Sequence, residues 1–371
     1  MDAKSSTSDT CPIVVLLGAG ASVDAGLYTA VQLTDQLQAD VEDHSDIDLQ
    51  QALGFILGGI AFRRGTDGLR INHTPDIETV LRVAQQLEER DRHPLASYVA
   101  SWHSALERLS PGGNGVIFRR LMERARSILK DKLKVPDDPV RHKYLADVWK
   151  LGRPLGCAAP PTVFTLNYDL CLESALDYEN KQYTTGFNDG LWTPSEFAAS
   201  DRLRVYKLHG SFGWVRHPQN GFIYDRDRAL QRSDIDILSA DTPDELIFGT
   251  ENKLKALQPF LWMVYRFYEA AIAARYIIAI GYGFNDEYIN QIIGQGMASD
   301  PTKRLIVVGP GLDQSKIESA PGMSMFIYPS RTVFLSEGAK RALNELDTIV
   351  KKLTDLEAAT QTTDPFGSGD P

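Results

Sequence analysis

Five apolar residues in a row, Ile13–Leu17, stop at Gly18 within the sequence IVVLLGAGASVDAG. An unbroken apolar run, rather than an alternating one, is how a strand buried on both faces of a parallel sheet reads. Such a sheet needs helices on both sides, so this short stretch already narrows the chain to an α/β architecture. The glycines turn the chain at the strand end, and a helix is expected from near Ala21 through Val31, Leu33 and Leu37.

Further strands are expected at Thr162–Leu166, Val205–Leu208, Tyr276–Ile280, Leu305–Val308 and Thr332–Leu335, with Leu246–Phe248 as another candidate. Trp214, Phe222 and Tyr224 mark extra strands around loops, and the aromatic helix Phe260–Ala274 reads as core packing. A last helix covers about 338–353. Between Asp46 and Lys150 the periodicity is helical. Ile77, Val80, Leu81, Ala84 and Leu87 keep the three-and-four spacing of an amphipathic helix, and Leu95–Leu109, Val116–Leu133 and Pro139–Leu151 read similarly. The expected fold class is α/β, a doubly wound, mainly parallel Rossmann-like sheet with a large helical insertion. Residues 1–45 and 160–358 are assigned to the sheet domain, 46–159 to the helical insertion and 359–371 to a disordered tail.

A formal net charge of −10 argues against a chain that grips nucleic acid alone, because phosphate binding is driven by Lys and Arg. Arg119, Arg120, Arg124, Arg126, Lys130, Lys132 and Lys134 cluster in sequence, and a solvated helix face is the better reading of that run. Three cysteines, Cys11, Cys157 and Cys171, supply neither a disulfide framework nor a CxxC zinc pair. Cys171 reads as a small core residue. No apolar run approaches the roughly 20 residues that cross a bilayer, and the first residues lack a secretory pattern. A cytoplasmic protein without membrane contact is expected.

Four motifs fall at carboxyl ends of the expected strands, where ligands bind in such sheets. In GAGAS, Gly18 and Gly20 flank Ala19 and let the backbone approach a diphosphate, to which Ser22 can add a hydroxyl. The spacing departs from GxGxxG, since Val23 takes the third glycine position, and a tight structural turn is the competing reading. In TLNYD, Asn167 offers both a donor and an acceptor for a ribose hydroxyl or a water. Asp169 either orients Asn167 or caps the next helix, with capping or scaffolding favoured. In KLHGS, His209 can act as a general base near neutral pH; alone it would read as a satisfied core histidine. In GYGFND, Gly281 and Gly283 flank Tyr282 and can admit an adenosine half, while Asn285 or Asp286 bonds a hydroxyl or caps the following helix.

Taken in order, these four motifs resemble those of the sirtuin superfamily. GAGAS is similar to its first glycine motif, TLNYD to the motif with the catalytic Asn, KLHGS to the motif with the catalytic His, and GYGFND to the later glycine motif. The resemblance covers roughly 13–39 and 162–335. Protein-deacylating sirtuins carry four zinc-binding cysteines after the His motif, and none follows His209 here. GLYTA stands where they have an Asp-Phe-Arg segment, and Leu166 replaces the usual glutamine before the Asn. The chain is therefore more similar to the bacterial sirtuin-like NAD hydrolases of antiphage defence, which lack the zinc module.

That resemblance implies an NAD glycohydrolase (NADase) that cleaves the nicotinamide–ribose bond, with NAD as substrate and no metal. Asn167 and His209 would be catalytic; Gly18, Ala19, Gly20, Ser22, Asp169, Gly281, Tyr282, Gly283 and Asp286 would contact the dinucleotide. It further implies regulation by homo-oligomer formation or by a HerA-like translocase or Argonaute-type partner. Two other readings stay open: an NAD-dependent protein deacylase, disfavoured by the missing cysteines, and an NAD- or ADP-ribose-sensing subunit with little activity alone.

Overall fold

The computed structural model describes residues 11–68, 74–90, 106–109, 115–153, 157, 159–199, 201–217, 221–224, 259–323, 329–345, 349 and 352. The expected strand at Leu246–Phe248, most of Leu95–Leu109 and the tail lie outside them. Contacts between Cα atoms divide the chain into two compact units, Met1–Gly26 with Val135–Pro371, and Leu27–Lys134.

Among the described residues, the first unit carries all the strands: β1 (Ile13–Leu17), β2 (Thr162–Thr165), β3 (Tyr183–Thr184), β4 (Phe187–Asn188), β5 (Leu191–Trp192), β6 (Leu203–Lys207), β7 (Trp214–His217), β8 (Gly221–Tyr224), β9 (Tyr276–Ile280), β10 (Arg304–Val308) and β11 (Thr332–Leu335). Seven of them form one sheet in the order β11-β10-β9-β1-β2-β6-β3, and every neighbouring pair is parallel. The fold is thus mixed α/β around a parallel sheet. From β1 the chain adds β2, β6 and β3 on one side and β9, β10 and β11 on the other. The order reverses between β1 and β9, which makes their carboxyl ends the topological switch point.

The apolar runs explain the strands directly. Every residue of β1, β9 and β10 is buried, as central parallel strands require. Val14, Leu16, Phe164, Tyr206, Ile277 and Val307 pack in one cluster with Phe260, Met263, Val264 and Phe267 of the helix Phe260–Ala273 and with Ile289, Ile292 and Ile293 of the helix Glu287–Ala298. Each such side chain contributes about 1.5–3 kcal/mol by leaving water. The aromatic helix is core packing, as its sequence indicates.

Two local expectations are corrected. No α-helix starts near Ala21: β1 runs into 3-10 turns at Ala19–Ala21 and Val23–Ala25, and Gly26 ends them in the left-handed region (φ +97°). Pro139–Leu151 is likewise not α-helical but 3-10, at Pro139–Arg141 and Lys143–Lys150. The extra strands around Trp214 are present as a separate antiparallel sheet, β4-β5-β8-β7.

In the second unit the described residues are helices and their connections, with α-helices at Ala30–Asp43, Ile47–Thr66, Ile77–Glu88 and Val116–Lys132. Thr29 and Gln32 form a reciprocal capping box at the first. The arginines of the basic run reach acids on the other helices: Arg119 bonds Glu88 at 2.7 Å, Arg120 bonds Asp46 at 2.8 Å, and Arg124 forks onto Asp40. Those charges are matched within the unit rather than gathered as a phosphate-binding face.

Candidate functional site

Strand register brings the sequence motifs to one edge. Leu17 on β1 is level with Thr165 on β2 and with Ile280 on β9, and Thr165 is level with Lys207 on β6. Asn167 and His209 each follow that last pair by two residues, so adjacent parallel strands deliver both to the same carboxyl end. The ladder continues past the strands, with Leu166 N–H donating to Leu17 O at 3.0 Å and Leu208 N–H to Thr165 O at 2.9 Å.

The two glycine motifs meet at the switch point, backbone against backbone. Gly18 N–H donates to Ile280 O at 3.0 Å and Gly20 N–H to Gly281 O at 2.9 Å. A Cβ on Gly18 would lie 2.6 Å from Gly281 O, and one on Gly281, whose φ is +63°, would lie 2.1 Å from Ala21 N. These glycines are needed first for the loops to touch. Ala21 and Ser22 donate their amides to Gly18 O and Ala19 O. The tight-turn reading of GAGAS therefore describes what its glycines and amides do, while Gly283 on the facing loop is exposed.

Ser22, Asn167 and Asp169 form a hydrogen-bonded chain. The Ser22 hydroxyl donates to Asp169 Oδ2 at 3.1 Å and accepts from Asn167 Nδ2 at 3.3 Å. Because a carboxylate only accepts, Ser22 must spend its one proton on Asp169, and only the NH2 end of Asn167 can then face Ser22. The Ser22–Asp169 bond thereby sets the orientation of the Asn167 amide. The Oδ1 of Asn167, a half-buried residue, is the atom left to accept from a ligand. The other Asp169 oxygen accepts from Cys171 N–H at 2.9 Å, so Asp169 both binds the first amide of the helix Cys171–Tyr178, whose N-cap is Leu170, and steadies Asn167 through Ser22.

His209 is 2 % exposed, and its Nε2 lies 3.3 Å from Oδ2 of Asp286. Asp286 Oδ1 accepts from Tyr288 N–H at 3.1 Å and Ile289 N–H at 3.2 Å, capping the helix Glu287–Ala298. In the sheet β9 and β6 are separated by β1 and β2, roughly 14 Å at a strand spacing of about 4.8 Å. The loops that follow them must therefore converge over the ends of β1 and β2. Tyr282 supports this loop from below: it is buried, its hydroxyl donates to Asn290 Oδ1 at 2.7 Å, and Asn290 Nδ2 donates to Phe284 O and Pro321 O. The side chain of Tyr282 is committed to the interior.

The most consequential residue without an expected role is Lys207. Its Nζ is buried and donates to Asp169 O at 2.6 Å and to Glu173 Oε1 at 2.8 Å. A lysine closing an apolar strand is the signal that could have revealed it, since a charge there demands a partner. Cys171 is fully buried, and burial followed by the Asp169 charge raises its thiol pKa, so it is a poor nucleophile. Tyr144 donates to Ala21 O at 2.6 Å beneath the first glycine turn, and burial raises its pKa as well. Among the described residues, no group of three or more His, Cys, Asp or Glu side chains is placed to hold a metal ion. No helix among them is long and apolar enough to cross a membrane.

Residues 161–323 match the family described as SIR2-like domain. The matched stretch includes Asn167, Asp169, Lys207, His209 and the GYGFND loop, and the GAGAS turn precedes it. Two solved structures align over most of the chain. One is a Sir2 homolog–NAD complex, at 15 % identity and TM-score 0.41 over 92 % of this chain and 89 % of that one. The other is a mutant of Sir2 homologues in complex with 2'-O-acetyl ADP ribose, at 16 % identity and TM-score 0.42 over 92 % of each. Among curated proteins, none matches the chain.

Proposed function

We propose that this chain is an NAD glycohydrolase that cleaves the bond between nicotinamide and ribose. The SIR2-like match over the segment with Asn167 and His209 supports the substrate class. The observation that carries the reading is the register that brings Asn167 and His209 to adjacent strand ends, with Asn167 tied to Asp169 through Ser22 and a carboxylate oxygen of Asp286 3.3 Å from His209.

The dinucleotide's ribose end fits this arrangement. Asn167 Oδ1 accepts from a water or a ribose hydroxyl, while His209, with the Asp286 carboxylate beside it, takes the proton from that hydroxyl or water. The C1'–N bond breaks with its electron pair leaving on nicotinamide, through an oxocarbenium-like transition state, and the water oxygen bonds to C1'. Holding ribose and water in one geometry is the main contribution asked of the protein. The diphosphate end differs from a glycine cradle, because the amides of Gly18, Gly20, Ala21 and Ser22 already donate within the chain. The half-buried Ala19 and Gly20 of that turn, with Gly283 and Asn285 exposed on the facing loop, remain to meet the diphosphate.

A role as an antiphage effector that depletes NAD, held off by assembly or by a translocase-type or Argonaute-type partner, belongs to the same proposal. Incubating the purified chain with NAD, alone and with the product of a neighbouring gene, tests it. Nicotinamide and ADP-ribose should appear together and be lost in Asn167→Ala and His209→Ala. Nicotinamide release only with an acyl-peptide present would instead establish deacylation.

A further inference from the structure

We propose that Lys207 is a positioning residue that holds the strand ends bearing Asn167 and His209 in one geometry; the inference rests on the NAD-cleaving reading only for its turnover readout. Lys207 touches both sides. Its carbonyl accepts from Gly210 N–H at 3.2 Å, closing the turn that contains His209, and Gly210 takes the left-handed conformation this turn requires (φ +87°). Its ammonium donates to the carbonyl of Asp169, whose carboxylate holds Ser22 and, through it, Asn167. Neutral ties also join these loops: Phe212 N–H donates to Tyr168 O at 3.2 Å, and Ser211 Oγ to the same oxygen at 3.4 Å.

Stability alone does not explain a lysine here. Lys207 and Glu173 are 1 % and 8 % exposed in their side chains, and taking both charges out of water is unfavourable. A well-packed apolar pair of the same volume commonly holds a fold as well or better. An apolar pair cannot, however, donate to Asp169 O. The ion pair keeps a charged donor at Asp169 O, beside the carbonyls of Thr165 and Tyr168 that accept from neutral donors of the KLHGS side.

The test is the full chain carrying Lys207→Met with Glu173→Leu, which removes both charges together. We expect an unchanged melting temperature with amide exchange at least about tenfold faster at Leu208 and Phe212, reporting local loosening. Nicotinamide release should show kcat reduced about tenfold at unchanged KM, the signature of lost positioning rather than lost binding. A folded double variant with unchanged exchange and unchanged kcat would overturn the proposal. If the double variant does not fold, Lys207→Met alone is measured the same way. If the unmodified chain releases no nicotinamide either alone or with the neighbouring gene's product, the NAD reading fails, and amide exchange by itself decides the role of Lys207.

Discussion

Asp286 presents one carboxylate oxygen to Nε2 of His209 at 3.3 Å while its other oxygen closes the first turn of the following helix. The helix cap fixes the carboxylate at a place beside the imidazole. Asp286→Asn keeps an oxygen for the cap but removes the charge facing His209. Its melting temperature should stay within a few degrees of the parent, with nicotinamide release down about tenfold to a hundredfold. Unaltered turnover in a folded Asp286→Asn would remove Asp286 from the site.

The contact between the glycine loops makes a sharp contrast within one motif. Gly281→Ala puts a Cβ 2.1 Å from Ala21 N at a positive φ, whereas at Gly283 the nearest atom is 3.5 Å away. Left-handed strain alone costs about 1–2 kcal/mol, and the clash adds to it. Urea midpoints should therefore fall markedly for Gly281→Ala and stay near the parent for Gly283→Ala. Equal midpoints would contradict the packing described.

Ser22→Ala removes the link between Asn167 and Asp169 and leaves a buried carboxylate with one donor fewer. The expected loss of stability is about 1–3 kcal/mol. Turnover should fall further than stability suggests, because the amide of Asn167 is then free to turn over. Comparing kcat at a temperature where the variant remains folded checks this.

Much of the sheet was legible because a strand buried on both faces needs only apolar side chains. Ile13–Leu17, Tyr276–Ile280 and Thr332–Leu335 stand where their sequences placed them. The two-residue edge strand Tyr183–Thr184 is too short to leave such a pattern. At 139–150 the apolar spacing of three and four suits a 3-10 helix as well as an α-helix, so periodicity could not separate them. The glycines of GAGAS look alike whether they admit a ligand or another loop, and only Gly281 opposite them shows which. The orientation of Asn167 depends on Ser22, 145 residues away, a relation no local window contains.

His142 gives a pH test that is independent of activity. Burial lowers its pKa from the ordinary 6.5, and its Nε2 lies 3.1 Å from Ser174 Oγ. The unfolded chain therefore binds the proton more readily than the folded one as pH falls below about 6.5. This group's contribution to stability is complete above that value and is lost progressively below it. His142→Gln should flatten the melting temperature between pH 7 and 5 relative to the parent (working range chosen to bracket roughly 6.5). An identical slope in both proteins would show that His142 charges freely in the folded state.

The central claim is that Asn167 and His209 act on one bound dinucleotide. Nicotinamide release measured for Asn167→Ala, His209→Ala and the double variant tests it most directly. Residues that work as a unit are expected to be non-additive, with each single change costing about a hundredfold or more and the pair little beyond that. Independent, multiplying losses would contradict the account, as would turnover that survives either substitution.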